Sequence, residues 1–487
     1  MKSPASSASS VSPASPKRAG EPSTKLSRRA DTTLSEQLAQ RYTEHIGQRL
    51  LSPGTRLPSV RDCATRHRVS TSTVVGAYDL LQAQGLIESR PQRGFFVRGA
   101  KAAASAPPLR GNARTAPVDA TALIRGMFQV HGGLPAPGMG TLPEDWLDAG
   151  LLQRALRRVA GADASGWLRY GDPHGDASLR AALVRRLADL AIHADTQQIV
   201  TTLGATQGLD IVSRTLAQAG DAVLVDEPGW SVEYARLTRM GMRLLPVPRG
   251  PDGPDLGVMR AMLQAHRPRL YVTVSVLHNP TGYSLAPAAA HQVLQLAEAF
   301  DVTIVEDDTY AWLAPPHATR LAQLDGLRRT VYISGFSKIL TPQWRVGFIA
   351  APQALAERLV DTKLLSSLTT PAPLEQALAW CLDQGALRRH AERVVVRLAA
   401  ARTRTVRLAR DAGCHFAAPP QGLFGWLDVG ADADRLAQLL LDEGWLIAPG
   451  SLFHATRRPS TLMRVNFATA QDLRFWRALK AAREAMK

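Results

Sequence analysis

The strongest constraint on the fold of this 487-residue chain is a regular alternation of short apolar strands with helical segments. The predicted strands lie near residues 198–203, 222–226, 243–248, 270–275, 302–307 and 330–336. Strands separated by helices, such as the one predicted over 287–300, are typical of a mostly parallel sheet covered on both faces. We therefore expect an α/β domain, followed by a smaller part with long helices and candidate strands at 423–429, 445–447 and 463–467.

Polar residues follow four of these strands, at the edge where open parallel sheets bind their ligands. The first strand turns at Gly204 into a helix, whose first N–H groups, near Ala205 and Thr206, form an anion site. The other residues are Asn279 in an Asn-Pro-Thr-Gly turn, Asp307 with Tyr310, and Lys338 with Arg345. Because the four strand ends share one edge of the sheet, we expect these residues to meet in one cleft.

The residue types in this cleft predict a site for pyridoxal phosphate. Lys338 lies just beyond a buried strand and can form a Schiff base, because partial burial keeps some of its amine neutral. Arg345 can clamp a phosphate with its planar fork of donors. Asp307 can keep the pyridine nitrogen protonated, while Tyr310 and Asn279 can bond the 3-oxygen of the ring. A lysine and an arginine after a core strand can also be ordinary surface residues, but the other three strand ends argue against that.

From about residue 125 to its end, the chain resembles the fold-type I aminotransferases. The marks of that family are the Asn-Pro-Thr-Gly turn, the Asp-x-x-Tyr pair and the Ser-Lys-x6-Arg motif. The resemblance implies that Lys338 carries the covalent link to the cofactor and that Asp307 pairs with the pyridine nitrogen. It also implies that the phosphate is held by Ser337, Arg345 and Thr206.

Three residues outside those motifs take roles from the same resemblance. Trp230 matches the aromatic residue that stacks on the cofactor ring, and Tyr170 matches a tyrosine that reaches the partner subunit's phosphate. Arg464 matches the arginine that grips a substrate carboxylate. At Gly335 the sequence departs from the usual Ser or Thr, which removes one hydroxyl from the expected phosphate site.

The charge of the chain is concentrated near its start. The net charge is +16, and residues 1–100 hold 15 Lys and Arg against 7 Asp and Glu. A basic block suggests a polyanion partner, although a generally arginine-rich proteome would also produce one. No apolar run approaches the ~18–20 residues of a membrane span. Three cysteines without metal-ligand spacing fit a reducing cytoplasm.

Residues 33–98 read as a winged helix-turn-helix domain of α+β class. Apolar residues recur every four positions from Leu34, then come a short helix, a third helix after Ser70, and two strands joined by Pro-Gln-Arg-Gly. The exposed start of the third helix carries hydroxyls that can bond phosphates or bases, on Ser70, Thr71, Ser72 and Thr73. Arg61 and Arg93 are expected to flank that surface.

This segment resembles the DNA-binding domain of the GntR superfamily over its whole length. The resemblance implies that Arg61, the start of the third helix and the wing glycine, Gly94, lie at the DNA. The sequence has Thr71 and Val75 where that family often has arginine, which predicts a weaker or differently placed base readout.

The order of the two domains resembles that of the MocR-type transcriptional regulators. We predict a disordered basic tail over 1–32, the DNA-binding domain over 33–98 and an Ala/Pro-rich linker over 99–122. The aminotransferase-like domain is predicted over 123–487, with a large part at about 160–350 and a small part at about 351–487. The resemblance implies a bacterial, cytoplasmic, head-to-tail homodimer that binds operator DNA and responds to a small amine or amino acid.

Three functions are compatible with these residues. The first is a regulator that senses an amino compound, with at most residual aminotransferase activity. The second is a regulator that senses pyridoxal phosphate itself. The third is an active aminotransferase with an accessory DNA-binding module. A fold that serves both chemistry and sensing does not distinguish them.

Overall fold

The computed structural model describes residue 26 and residues 32–48, 50–51, 53–98, 136–162, 165–456 and 458–486. The predicted linker over 99–122 lies outside the described residues, as does nearly all of the predicted tail over 1–32. In these ranges, no helix has both the length and the apolar character that crossing a bilayer requires.

The N-terminal domain is a three-helix unit with a two-stranded wing, which confirms the predicted class. Its elements are α1 (Leu34–Gly47), α2 (Val60–His67), α3 (Thr71–Ala83), β1 (Ile87–Arg90) and β2 (Gly94–Val97). Each helix begins at a hydroxyl cap, because the oxygen of Thr33, Ser59 or Ser70 accepts from a backbone N–H of the first turn. The two strands are antiparallel neighbours.

The large part is built on a seven-stranded sheet of order β3-β9-β8-β7-β6-β4-β5. Strands β4 to β8 run parallel, as predicted. The elements are α4 (Ala149–Ala160), α5 (Ala177–Ala188), β3 (Ile199–Thr202), α6 (Ala205–Leu216), β4 (Ala222–Glu227), α7 (Ser231–Arg239), β5 (Arg243–Pro248), α8 (Leu256–His266), β6 (Leu270–Thr273), α9 (Pro287–Ala299), β7 (Thr303–Asp307), α10 (Leu321–Asp325), β8 (Thr330–Gly335) and β9 (Gly347–Ala350). Strand β9, which the sequence analysis missed, pairs antiparallel with both β3 and β8.

The small part combines long helices with an antiparallel sheet of order β10-β11-β13-β12. Its elements, with the helices that lead into it, are α11 (Gln353–Ser367), α12 (Ala372–Asp383), α13 (Ala386–Asp411), β10 (His415–Phe416), β11 (Phe424–Asp428), α14 (Ala433–Asp442), β12 (Ala448–Pro449), β13 (Leu462–Asn466) and α15 (Leu473–Glu484). The strand predicted over 445–447 is wrong: those residues are buried by packing, and the ladder to β13 begins only at Ala448.

The N-terminal domain packs against α14 of the small part. Their buried apolar residues form one continuous cluster. At its edge, Arg66 of α2 forms a 3.0 Å salt bridge with the Asp442 carboxylate, and Arg41 of α1 donates to the Asp442 carbonyl. Gln438 of α14 donates to the Arg56 carbonyl at 3.2 Å. The interface is therefore both apolar and ionic.

Candidate cofactor site and nucleic-acid interface

Lys338 lies in the turn that follows β8 and is half-buried. Its Nζ donates to the carbonyl of Gly140 at 2.8 Å. Burial lowers the pKa of the Lys338 amine to about 8, and the nearby Arg464 guanidinium adds to the effect. A substantial fraction of the amine is therefore neutral near that pH, as a nucleophilic lysine requires.

Asp307 ends β7 and lines one wall of a cleft, together with Trp230 and His278. Burial raises the pKa of its carboxyl to about 7, and the backbone N–H of Thr309 donates to it at 3.0 Å. A buried carboxylate is stabilised by an opposite charge close to it. The Asp307 carboxylate can therefore pair with a cationic ring that enters the cleft.

The neighbouring Asp308 serves a structural purpose on the opposite side of the strand. Its Oδ2 accepts from Arg320 Nε at 2.6 Å and from the Tyr332 hydroxyl at 2.8 Å. Alternation of side chains along β7 separates the two carboxylates in this way.

Arg464 on β13 closes the other side of the cleft. Its Nη1 donates to Asn279 Oδ1 at 2.9 Å, and its Nε and Nη2 donate to the Gly138 carbonyl at 3.2 and 2.7 Å. Phe424 and Phe453 lie 4.5 and 5.1 Å from the guanidinium carbon. Burial lowers the pKa of Arg464 to about 10. Three of its five N–H groups are engaged, so two stay available for an incoming carboxylate.

Tyr310 is buried beside Asn279, and its ring packs edge-on against Phe424 with centroids 5.6 Å apart. Burial raises the pKa of its hydroxyl. The Asn279 amide and the Tyr310 hydroxyl therefore lie side by side, and the hydrogen bond from Arg464 to Asn279 Oδ1 holds the amide in place.

Donors suited to an anion come together where β3 turns into α6. Gly204 has φ of 83°, and a Cβ built there would lie 2.5 Å from Arg345 Nη2, so only glycine suits this position. Arg345 donates to Ser337 Oγ at 3.2 Å and to the Leu203 carbonyl at 2.8 Å. The first N–H groups of α6, near Ala205 and Thr206, have no intrahelical acceptors. A Cβ built on Gly335 would lie 3.4 Å from the Ala205 nitrogen. The backbone around Gly335 is therefore closely packed even without a side chain.

Tyr170 is the predicted site residue that the described chain does not bring into the cleft. Its side chain is 82% exposed. The position suits a residue that acts on another subunit, but within one chain it contributes nothing to the cleft.

Three residues of the cleft were not predicted from the sequence. Gly138 and Gly140 supply the carbonyls that hold Arg464 and Lys338, and their only signal was a Pro-Gly-Met-Gly segment without periodicity. His278 is buried next to the Asn-Pro-Thr-Gly turn, where its Nδ1 lies 2.9 Å from Thr281 Oγ1. Its place directly before the turn was the available signal.

Most of the predicted DNA-contacting residues are exposed on the N-terminal domain, and Thr73 and Gly94 are half-buried. Thr71 and Ser72 at the start of α3 are exposed, as are Arg61 and Arg93. The Ser70 hydroxyl is occupied locally, since it caps α3 and lies 2.8 Å from both the Ser72 and Thr73 hydroxyls.

The wing glycine has a conformational reason to be glycine. Gly94 has φ of 94°, and a Cβ built there would lie 3.4 Å from the side chain of Arg56. Arg56 was not among the predicted residues. It lies at the base of the wing because it forms an isolated β-bridge to Phe96.

Each of the two domains matches a known protein family. Residues 34–97 match the family described as bacterial regulatory proteins, gntR family. Residues 138–481 match the family described as aminotransferase class I and II. The solved structure of LysN, the α-aminoadipate aminotransferase of Thermus thermophilus complexed with N-(5'-phosphopyridoxyl)-L-leucine, is 25% identical. It covers 74% of this chain and 95% of its own, with a TM-score of 0.68.

Curated relatives span the two domains together. The uncharacterized HTH-type transcriptional regulator YdcR of Escherichia coli is 30% identical over 455 residues, which is 89% of this chain and 94% of that protein. The probable rhizopine catabolism regulatory protein MocR of Rhizobium meliloti is 31% identical over 390 residues, or 76% of each chain. The chain belongs to the MocR-type transcriptional regulators, in which a GntR-family DNA-binding domain is fused to an aminotransferase class I and II domain.

Proposed function

We propose that this protein regulates transcription by coupling the ligand state of its cofactor cleft to the pose of its DNA-binding domain. The observation that carries the proposal is the contact between the DNA-binding domain and α14, because α14 leads directly into the strand pair that bears Arg464. An enzyme with an unrelated N-terminal module has no need of such a connection.

The contact is anchored by a carboxylate that is mostly withdrawn from water. The Asp442 side chain is 10% exposed, and that of its partner Arg66 is 23% exposed. Burial raises the pKa of Asp442, while Arg66 and Arg41 oppose the rise. Removing one partner of a buried pair is costly, since the other charge is left without compensation. The contact therefore favours one domain arrangement over others.

A short segment joins this anchor to the cleft. Six residues beyond Asp442, Ala448 on β12 pairs with Arg464 on β13. A ligand that engages Arg464 acts on the strand paired to this segment, so its binding energy can differ between domain arrangements. The DNA-contacting residues Thr71, Ser72, Arg61 and Arg93 stay exposed in the packed arrangement. The contact thus sets the pose of the DNA-binding face without covering it.

The aminotransferase-like part takes pyridoxal phosphate as its cofactor. When bound, the cofactor supplies an aldehyde that reacts with amines and a ring that withdraws electrons. We assign its aldehyde to Lys338 and its ring nitrogen to Asp307. Its other contacts are assigned to Trp230 for the ring face, Asn279 and Tyr310 for the 3-oxygen, and Arg345, Ser337, Ala205 and Thr206 for the phosphate. Arg464 would select effectors that carry a carboxylate beside their amine.

Specific observations also support two other functions. A relative described as the 2-aminoadipate transaminase of Thermus thermophilus is 29% identical over 71% of this chain, and Lys338, Asp307 and Arg464 lie close together in the cleft. That favours an active aminotransferase as the alternative. A switch by formation of the cofactor-bound protein itself is supported by the position of the cofactor, which would occupy the same cleft as an amine effector. Formation of a keto product over many turnovers identifies the enzyme, and a one-time absorbance change with an amine identifies the sensor.

We also propose a head-to-tail homodimer. Tyr170 and Leu168 are strongly exposed, at 82% and 88%, and Leu365 on α11 is 93% exposed. Large apolar side chains exposed to this degree favour an interaction surface, and a winged helix commonly needs a dimer to reach two half-sites. A second copy would bring Tyr170 to the phosphate of its neighbour.

Paired titrations test the regulatory coupling. An amine effector is expected to shift operator affinity by about fivefold or more, and linkage requires operator DNA to shift amine affinity by the same factor. Both affinities are measured on the cofactor-bound dimer, by absorbance for the amine and by anisotropy for the DNA. Coupling factors of one across a broad amine panel, in both cofactor-free and cofactor-bound protein, would contradict the regulatory proposal. They would favour the active aminotransferase instead.

Two variants locate the route of the coupling. Asp442→Asn should reduce the coupling factor toward one while cofactor absorbance stays unchanged, because the ion pair with Arg66 is lost. Glu443→Gln, at the exposed neighbouring position, is the matched control. Arg464→Ala should blunt the response to carboxylate-bearing amines and leave effector-free DNA binding intact. Full coupling in Asp442→Asn would exclude this contact as the route.

Replacing Arg61 with alanine tests the DNA face. The loss should cost about 1–3 kcal/mol on the operator if Arg61 reads a base. If it contacts phosphate, binding should weaken equally on all sequences, and the salt slope should fall by about one. Salt-dependent anisotropy with operator and random duplexes separates these cases. Unchanged affinity for both duplexes would remove Arg61 from the interface.

A further inference from the structure

We propose that the long helix α13 is a second contact surface for the phosphate backbone of duplex DNA, outside the winged helix-turn-helix domain. The proposal rests on the DNA-binding role of the chain, and it adds a sequence-independent site on the aminotransferase-like domain.

The charge of the aminotransferase-like domain is concentrated in this one helix. Residues 136–487 contain 39 Lys and Arg against 34 Asp and Glu, a net charge of +5. Helix α13 contains eight arginines and two acidic residues, a net charge of +6. Without α13, the rest of that range therefore carries a net charge of −1. The excess is local, which a generally arginine-rich composition does not explain.

The arginines form a stripe along one exposed face. Arg389, Arg393, Arg397, Arg404 and Arg407 recur at helical spacings, and all five are exposed. Residues three, four or seven apart lie on the same face of a helix. At 1.5 Å per residue the stripe is ~27 Å long. Along one DNA strand that length corresponds to about eight phosphates at 3.4 Å spacing.

The two halves of the stripe differ in how their charge is compensated. Arg393 pairs with Asp148 at 3.3 Å and Arg397 with Asp145 at 2.5 Å, so these two tie the helix to the large part. In the described ranges, Arg404 and Arg407, and the exposed Arg410 that follows them, form no ion pair with an acidic side chain. Like charges three residues apart destabilise a helix. An anionic partner along the second half would remove that cost.

The second half of α13 shares an apolar core with the DNA-binding domain. Leu408 and Ala409 pack in the apolar cluster that includes α14, α15 and the core of that domain. Helix α13 contacts α15, and α15 contacts α14, on which the DNA-binding domain packs. At ~8–10 Å between packed helix axes, α13 lies roughly 20 Å from α14. A duplex is therefore wide and long enough to reach both.

The partner that fits this surface best is a duplex backbone. Its charge is regular and extended, as the stripe is, and the planar fork of arginine matches phosphate oxygens. An acidic protein would present an irregular charge pattern. Helix α13 contains no Trp, Tyr or Phe, the residues that anchor protein interfaces, although Val396 on the same face is 72% exposed.

The test compares two variants of the full-length, cofactor-bound protein that lose the same charge. Arg404→Gln with Arg407→Gln removes two members of the stripe. Arg239→Gln with Arg260→Gln removes two exposed arginines from α7 and α8 of the large part. Binding to the promoter region and to a random duplex of the same length is measured from about 50 to 200 mM salt.

The stripe variant should lower the salt slope by about 1.8, at about 0.9 per lost phosphate contact. The affinity loss over this salt range then becomes about tenfold smaller, equally on both duplexes. The control variant should keep the slope of the natural protein, and so should Arg404→Lys with Arg407→Lys. If the double glutamine variant does not fold, Arg410→Gln alone should lower the slope by about 0.9.

Equal slopes in the stripe and control variants would overturn the proposal. A protein that prefers its promoter but shows equal slopes would keep its regulatory function and lose this second surface. A protein with no promoter preference but a lowered slope in the stripe variant would lose the regulatory function and keep the surface.

Discussion

Replacing Lys338 with alanine is expected to abolish the covalent link between the protein and pyridoxal phosphate. The Lys338 amine lies 2.8 Å from the Gly140 carbonyl, and Asp307 and Arg464 are close enough to act on its pKa. Treatment with borohydride followed by mass spectrometry measures the link. The natural protein should gain the mass of the reduced cofactor, and the variant should gain none.

Lys363 provides a control of matched chemistry. Burial also lowers its pKa to about 8, but its amine donates to the Pro173 carbonyl at 2.7 Å, away from the cleft. Lys363→Gln should therefore keep the full reducible link. Covalent fixation of the cofactor in Lys338→Ala would show that the lysine is wrongly assigned.

The rate of link formation should also depend on pH in a defined direction. The Lys338 amine reacts when neutral, and its pKa of about 8 lies below the ordinary value because of burial. The neutral fraction, and with it the rate at which cofactor-free protein takes up the aldehyde, should rise as pH rises through about 8. Stopped-flow absorbance across that range measures it.

Replacing Asp307 with alanine is expected to weaken cofactor binding by roughly two to three orders of magnitude. The variant leaves a protonated ring nitrogen buried without its carboxylate, and breaking a buried ion pair costs about 3–5 kcal/mol. Any transamination half-reaction should also disappear, because a neutral pyridine withdraws electrons poorly. Absorbance titration of the cofactor-free protein measures the affinity, and unchanged affinity would remove Asp307 from the site.

Asp308 separates this effect from a loss of stability. Asp308→Asn removes a carboxylate that pairs with Arg320, so the melting temperature should fall while the folded protein keeps its cofactor affinity. The pH dependence adds a second readout. Because Asp307 has a pKa of about 7, its carboxylate is present above that pH, and cofactor affinity should rise as pH rises through about 7. Asp307→Asn should lose this rise.

Local features of the sequence determined both fold classes and the strand ends that carry the predicted cofactor residues. Strand periodicity, turn residues and caps act over a few positions, so the ends of β7 and β8 could be located together with Asp307 and Lys338. Alternation of side chains along β7, which is also a local property, separates Asp307 from Asp308. The prediction of a strand over 445–447 was wrong because apolar residues indicate only burial. Whether a buried segment pairs as a strand depends on its partner strand, which lies elsewhere in the chain.

Only the tertiary structure decided which distant residues meet. Gly140 lies 198 positions before the lysine whose amine it binds, and Asp442 lies 376 positions after Arg66. Neither pair has a local pattern, because such contacts depend on how whole elements pack. The sequence alone also contained the arginines of α13, but only packing showed which are compensated by Asp145 and Asp148 and which face solvent. Residue type and spacing determine what a side chain can do, and packing over hundreds of positions determines which partner it has.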